Sequence, residues 1–92
     1  MLHKVILEIE KESNYIYDYG FEKSNKINKI KILLKKLKII IKNPSTLLIK
    51  KIILVERLLD TKYYSLKTEK LNRDRYRTII KEISKYKFYN FN

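Results

Sequence analysis

The sequence has no cysteine and a single histidine, His3. Without cysteine, disulfide bridges and thiolate metal sites are excluded, and one histidine with scattered carboxylates does not make a ligand cluster. Glu8, Glu10 and Glu12 stand at alternate positions, but no base or nucleophile is spaced to work with them. We therefore predict no metal, no cofactor, no small-molecule substrate and no catalytic activity.

Glycine and proline are equally scarce, with one of each, Gly20 and Pro44, in 92 residues. Proline fits the first position of a helix and disfavours helix in the residue before it, so we expect one helix to end at Asn43 and another to begin at Pro44. Long apolar runs are also missing, because lysine recurs throughout Ile27 to Ile41. A membrane span needs about 20 apolar residues, and we predict none.

Acidic residues number 10 against 22 lysines and arginines, which leaves a formal net charge of +12. Residues 1–24 hold three lysines and five acids, residues 25–55 hold nine lysines and no acid, and residues 56–92 hold ten basic and five acidic residues. Such a chain implies an acidic partner for its middle and C-terminal third. The length suffices for one small domain, which we divide into an N-terminal extension (1–24), a basic amphipathic helix (25–43) and a helical hairpin with a basic second helix (44–92).

The N-terminal extension fits two structures. Apolar and polar residues alternate over residues 3–10 and again over residues 15–21, which predicts a short β-hairpin. The first of these stretches also fits one face of a helix, and an isolated hairpin is marginally stable in water. That helical face would be formed by Leu2, Val5, Ile6 and Ile9.

The second alternation forms an aromatic stripe, which consists of Tyr15, Tyr17, Tyr19 and Phe21. Such a stripe can stack on unpaired bases. The surrounding segment is net acidic, however, and would repel RNA. We therefore predict that the aromatic stripe contacts a neighbouring protein.

The segment 25–43 has helical spacing, with Ser24 or Asn25 as its cap. Its apolar positions are Ile27, Ile30, Leu34, Leu37 and Ile41, and its far side carries Lys31, Lys35, Lys38 and Lys42. A cationic helix of this kind can lie on RNA or on an anionic membrane. Aliphatic residues at heptad spacing, without an aromatic anchor, are more typical of helix packing, and we favour RNA for the lysines.

The rest of the chain predicts two further helices, which gives a mainly α fold: a long antiparallel helical hairpin plus the additional basic helix. The second helix runs from Pro44 to about Lys70, with Leu48, Ile52, Val55, Leu59 and Leu66 on its apolar stripe. Asn72 can cap a last helix from Arg73 to about Lys87, and we expect residues 89–92 to fray.

The last helix carries a four-spaced row of cations, Arg73, Arg77, Lys81 and Lys85, opposite an apolar side. No acids accompany the row at matching positions, so we interpret it as a phosphate-contacting surface instead of a set of intrahelical ion pairs. The predicted RNA-binding residues are Lys31, Lys35, Lys38, Lys42, Lys67, Lys70, Arg73, Arg75, Arg77, Lys81, Lys85 and Lys87.

The run from Arg75 to Lys87 reads Arg, Tyr, Arg, Thr, Ile, Ile, Lys, Glu, Ile, Ser, Lys, Tyr, Lys. It resembles the second-helix signature of the family of large-subunit ribosomal protein twenty-nine. Tyr64 to Lys67 is similar to the stretch that ends the family's first helix, so the resemblance covers about residues 45–88. It implies a helical hairpin on ribosomal RNA at the rim of the exit tunnel, with no catalytic role.

The first functional hypothesis is therefore a structural constituent of the large ribosomal subunit, which binds ribosomal RNA and contacts neighbouring ribosomal proteins. The bias toward Lys, Ile, Asn and Tyr follows A/T-rich codons, which favours an organelle, a mitochondrion before a plastid, or an organism with an A/T-rich genome. The alternative hypothesis is a small homodimeric DNA-binding or regulatory protein of a virus or mobile element, which dimerises through the apolar stripe of Ile27 to Ile41.

Overall fold

The computed structural model describes residues 1–21, 24–41, 45–60 and 66–88. These residues form four helices and no strand, and the mainly α prediction is confirmed. None of the described helices is long and apolar enough to cross a membrane. The helices are α1 (Leu2–Tyr19), α2 (Ile27–Ile40), α3 (Thr46–Asp60) and α4 (Leu66–Ser84), and a short 3₁₀ turn follows α4 (Lys85–Phe88).

The four helices form a closed antiparallel bundle. Each helix packs against the next one in the chain and α4 packs back against α1, whereas the backbones of the diagonal pairs do not approach as closely within the described ranges. Lys38 of α2 pairs with Glu56 of α3. Lys31, two turns earlier in α2, pairs with Asp60, one turn later in α3. This crossing order shows that α2 and α3 run in opposite directions, as neighbours in an up-and-down bundle do.

All four helices contribute to one hydrophobic cluster. Its members recur every three or four residues along each helix, so each helix turns one side to the centre of the bundle. A fully buried aliphatic side chain contributes about 1.5–3 kcal/mol relative to an exposed one. The cluster includes Val5, Ile6, Ile9 and Ile16 of α1; Ile30, Leu33, Leu34 and Leu37 of α2; Leu48, Ile52, Val55 and Leu59 of α3; and Tyr76, Ile79, Ile80 and Ile83 of α4.

The apolar stripe of α2 lies inside this cluster. Ile30, Leu34 and Leu37 are fully buried, and Ile41 just beyond the helix is buried as well. The stripe predicted to join two copies of the chain is therefore covered by the chain's own helices. Dimerisation through it, which the alternative hypothesis required, is contradicted.

The β-hairpin prediction for the N-terminal segment is wrong, and its helical alternative is right. Leu2–Tyr19 is one continuous helix of 18 residues. Helical spacing buries Val5, Ile9 and Ile16 against α2 and α4, whereas Leu7, which the alternating pattern placed beside them, is 41% exposed. A two-stranded hairpin would bury one side at most, so the helix with two neighbours prevails.

Gly20 ends α1 and lies close to α4. Its φ of 82° is in the left-handed region that glycine adopts readily, and its N–H donates to the Ile16 carbonyl at 2.7 Å. A Cβ at this position would lie 2.7 Å from Glu69 Oε1. The next residue, Phe21, donates its backbone N–H to the same oxygen at 3.3 Å. Glycine therefore permits both the turn and the close approach of α1 to α4.

The predicted boundary between the second and last helices is wrong. The sequence predicted one helix to about Lys70 and a cap at Asn72, but α3 ends at Asp60 and α4 begins at Leu66. Asn72 lies inside α4. A helix of about 27 residues would extend well beyond neighbours of 14 to 19 residues, and its ends would pack against nothing.

The other predicted helix ends differ less. α2 ends at Ile40, with Ile41 in an extended conformation, and α4 ends at Ser84 before the chain tightens into the 3₁₀ turn. The predicted joint at Asn43 and Pro44 and the predicted frayed end at 89–92 lie outside the described residues, as do Tyr64 and Ser65 of the resemblance.

Candidate nucleic-acid interface

The side of α4 that faces away from the bundle carries four basic residues, and Lys85 at the start of the 3₁₀ turn continues their line; we call these five the outer basic row. They are spaced so that they share one side of the helix, and each is exposed. From the first to the last, the row is roughly 27 Å long. Within the described ranges none of the five forms an ion pair with a carboxylate. The row consists of Lys67, Lys70, Arg77, Lys81 and Lys85.

Arg73, which the sequence placed in the phosphate-contacting row, has a different position. It is partly buried, its Nη2 donates to Glu69 Oε2 at 2.6 Å, and its Nη1 donates to the Tyr17 carbonyl at 3.2 Å. Glu69 stands four residues earlier on the same helix, so the prediction that no acid accompanies the row is wrong at this position. Arg73 joins α4 to the end of α1, and Arg73→Glu would disturb the bundle as well as any RNA contact.

Arg77 lies over the ring of Tyr17, with its guanidinium carbon 5.2 Å from the ring centroid. The Tyr17 ring meets the buried Tyr76 ring edge-on, with the centroids 6.0 Å apart. Burial raises the pKa of Tyr17 from 10.0 to about 12, which moves the ionisation of its phenol still further above physiological pH. Arg77 is thus exposed and at the same time supported from below by an aromatic pair.

Other predicted RNA-binding residues form ion pairs between helices. Lys31 and Lys38 bond to Asp60 and Glu56 of α3, and Lys87 donates to Glu10 of α1 at 3.2 Å. Lys31 and Lys38 therefore link α2 to α3, and their contact with RNA stays a prediction. Their partners are about 20 to 80 residues away in sequence, so no local pattern indicated them.

Three predicted RNA-binding residues remain, and each has a different environment. Lys35 is exposed on the outer side of α2, and Lys42 lies outside the described residues. Arg75 is exposed, but it stands seven residues before Glu82, whose carboxylate pairs with Lys51 of α3 at 3.2 Å. Residues seven apart share a helix side, so Arg75 flanks α3 and is separate from the outer basic row.

The aromatic stripe does not form one surface. On a helix its alternate positions point in different directions, and Phe21, which is 3% exposed, packs edge-on against Tyr76 at 5.6 Å between centroids. Tyr15 and Tyr19 lie against each other on the outer side, with centroids 4.6 Å apart. Phe21 is therefore part of the core, and Tyr17 belongs to the contact between α1 and α4.

The ion pairs that join α1 to α2 converge on Glu12. Its side chain is 9% exposed and bonds Lys29 at 2.9 Å, with Lys26 at 3.7 Å. The hydrogen bond from Lys29 is the main cause that lowers the pKa of Glu12 below its ordinary value of 4.5, and burial opposes it. The same bond raises the pKa of Lys29. Within the described ranges no three His, Cys, Asp or Glu side chains could hold a metal ion.

Acid should destabilise the bundle through these pairs. A carboxyl group with a lowered folded-state pKa contributes stability above its unfolded pKa, and that stability is lost as the pH falls through the folded pKa. We expect the free energy of unfolding to decrease as the pH drops below about 4.5, and to decrease less in Glu12→Gln than in the unaltered protein. Urea titrations at pH 7 and at pH 3 to 5 measure this. Glu8→Gln, at an exposed site, is the control, and equal acid loss in both variants would contradict the assignment.

The chain matches no protein-family model, and neither the curated proteins nor the solved structures gave a match.

Proposed function

We propose that this protein is a structural component of an RNA–protein particle and binds folded RNA through the outer basic row of α4. The observation that carries the proposal is the contrast in charge around the bundle. Several lysines elsewhere reach across to carboxylates of the next helix, and other exposed lysines, such as Lys35 and Lys50, lie on separate helices. The outer basic row instead lines up five exposed cations that have no ion-pair partner in the described chain. Unpaired cations in a straight row suit a phosphate backbone.

The binding mechanism is neutralisation of phosphates with release of their counterions. Lys67, Lys70, Lys81 and Lys85 act as flexible point charges, and Arg77 can direct two N–H donors at one phosphate. The buried side of α4 keeps the row straight because Tyr76, together with three isoleucines, anchors the helix in the core. Such contacts position RNA without reading its sequence.

The resemblance to large-subunit ribosomal protein twenty-nine supports the large ribosomal subunit as the particle, and codon bias supports an organellar ribosome. The matched second-helix signature, Arg75 to Lys87, lies in α4 and the turn after it. The other matched stretch fits less well, because Leu66 and Lys67 open α4 instead of closing the helix before it. The homodimeric DNA-binding alternative has less support, because the apolar stripe of α2 that would form its dimer surface is buried in the core.

Salt dependence of RNA binding tests the proposal directly. With about five phosphate contacts, the affinity for a structured RNA hairpin should fall by about two to three orders of magnitude between 50 and 200 mM salt. Fluorescence anisotropy of a labelled hairpin measures it. A weak salt dependence, or preferential flotation with anionic vesicles, would contradict RNA as the partner.

A tagged copy tests the particle. It should sediment with a large particle in a sucrose gradient and move to the top of the gradient after ribonuclease treatment. Sedimentation as a small homodimer, unchanged by ribonuclease, would contradict the particle assignment.

A further inference from the structure

Two adjoining grooves lie along the seam between α1 and α4. The first has a volume of about 320 Å³ and the second about 210 Å³. Tyr17 and Arg77 line both grooves, so this pair forms the wall between them. The first groove is also lined by Lys70, Arg73 and Asp74, and the second by Glu10 and Lys81.

The dividing wall is held in place from beneath. Tyr17 rests edge-on against the buried Tyr76, and Tyr76 shares a hydrogen bond of 2.6 Å with Ser13 of α1. The Arg77 guanidinium lies over the Tyr17 ring and is exposed on its outer side. A guanidinium held in this way presents a planar surface, which is the shape on which an unstacked base packs.

The charge in the first groove favours an anion. Glu69 is neutralised, because one of its oxygens accepts from Arg73 and the other from the Phe21 backbone N–H. Lys70 and Arg77 then face a single further carboxylate, that of Asp74. The Arg73 Nε is buried and has no hydrogen-bond acceptor among the described residues.

The second groove is similar. Its carboxylate, Glu10, already bonds Lys87, which leaves Lys81 and Arg77 to face solvent. The Tyr17 phenol, like tyrosine in general, is neutral at physiological pH, so it does not repel phosphate. Both grooves thus combine a planar wall with unpaired cations.

We infer that the seam between α1 and α4 binds unpaired nucleotides of a single-stranded RNA segment, with a base packed on the Arg77 and Tyr17 wall and the flanking phosphates at Lys70 and Lys81. Lys70 and Lys81 are roughly 16 Å apart along α4, with Arg77 between them. A duplex keeps its bases stacked inside, so its phosphates can contact the outer basic row, Arg77 included, but none of its bases can pack on the wall. The inference rests on the proposed function and specifies the form of RNA recognised.

Arg77→Lys tests the wall, because it keeps the charge and removes the planar group. A single-stranded oligouridine and an RNA duplex of equal length serve as probes in anisotropy titrations of the full chain. Loss of one stacked base should weaken oligouridine binding roughly 5- to 100-fold. Duplex binding should weaken far less, because lysine keeps the charge of this row member and loses only the second N–H donor to a phosphate. Arg75→Lys makes the same chemical change on the α3 side of α4 and should alter neither affinity. Thermal unfolding followed by circular dichroism checks that both variants are folded.

The outcomes separate the inference from the proposed function. If Arg77→Lys leaves oligouridine binding unchanged, or weakens both probes equally, the wall does not stack a base and the inference is overturned, while RNA binding by the outer basic row stands. If the unaltered protein binds neither probe, the proposed function itself fails. A 2-aminopurine base within the oligouridine should lose fluorescence on binding the unaltered protein and retain it with Arg77→Lys.

Discussion

Replacing Tyr76 with alanine should lower the free energy of unfolding by about 3–5 kcal/mol. The side chain is fully buried, its ring meets Tyr17 and Phe21 edge-on, and its hydroxyl bonds Ser13 across the contact between α1 and α4. Removing it leaves a cavity in the core and takes away the hydrogen bond that the buried Ser13 hydroxyl makes with Tyr76. Domains of this size are stable by only about 5–15 kcal/mol, so the loss approaches the whole margin. Urea unfolding followed by circular dichroism measures it.

A double-mutant cycle isolates the hydrogen bond within that loss. Tyr76→Phe removes the phenol hydroxyl and Ser13→Ala removes the serine hydroxyl, so each change breaks this hydrogen bond. Each should lower the free energy of unfolding by about 1–3 kcal/mol. The double variant removes both partners and should cost less than the sum of the two single changes. Burial is the main cause that raises the pKa of Tyr76, and either of the two hydroxyls can donate in this bond. Strictly additive losses would mean that the two hydroxyls do not bond in solution.

Replacing Lys67, Lys81 and Lys85 with glutamine should weaken the binding of a structured RNA hairpin by about two orders of magnitude or more at 0.1 M salt. The slope of log affinity against log salt should become shallower by about three, one for each phosphate contact removed. Stability should change little, because all three side chains are exposed. Anisotropy titrations over a salt series give both quantities.

A matched variant separates position from net charge. Lys35, Lys36 and Lys50 are also exposed, on α2 and α3, and changing them to glutamine removes the same total charge. This variant should retain most of the affinity and nearly the full salt slope. If the two triple variants lose affinity equally, RNA responds to the overall charge of the bundle and the outer basic row has no special role.

The helical character of the middle of the chain was readable from the sequence because it depends on local spacing. Apolar residues every three or four positions predicted α2 and the stripe of α3, and the structure buries those stripes. At the N-terminus the same residues fit period two and period 3.6. The helix forms because it packs against α2 and α4, and these long-range contacts are not visible in the local sequence pattern. Likewise the break at Asp60 follows from matching the lengths of packed helices.

The candidate interface was partly predictable for a similar reason. The spacing of Arg77, Lys81 and Lys85 placed them correctly on one side of a helix. Which cations remain unpaired depends on the docking of helices, as with Lys31 and its partner on α3. The Glu69–Arg73 pair was an exception, because its four-residue spacing is visible in the sequence.

The closed bundle also brings the two ends of the described chain together. The His3 and Phe88 rings lie 5.6 Å apart between centroids, and the turn after α4 packs on α1. A short linker could therefore join these ends, with new termini opened in the connection between α2 and α3. Such a circular permutant should fold to the same bundle, since every pair of packed helices is kept.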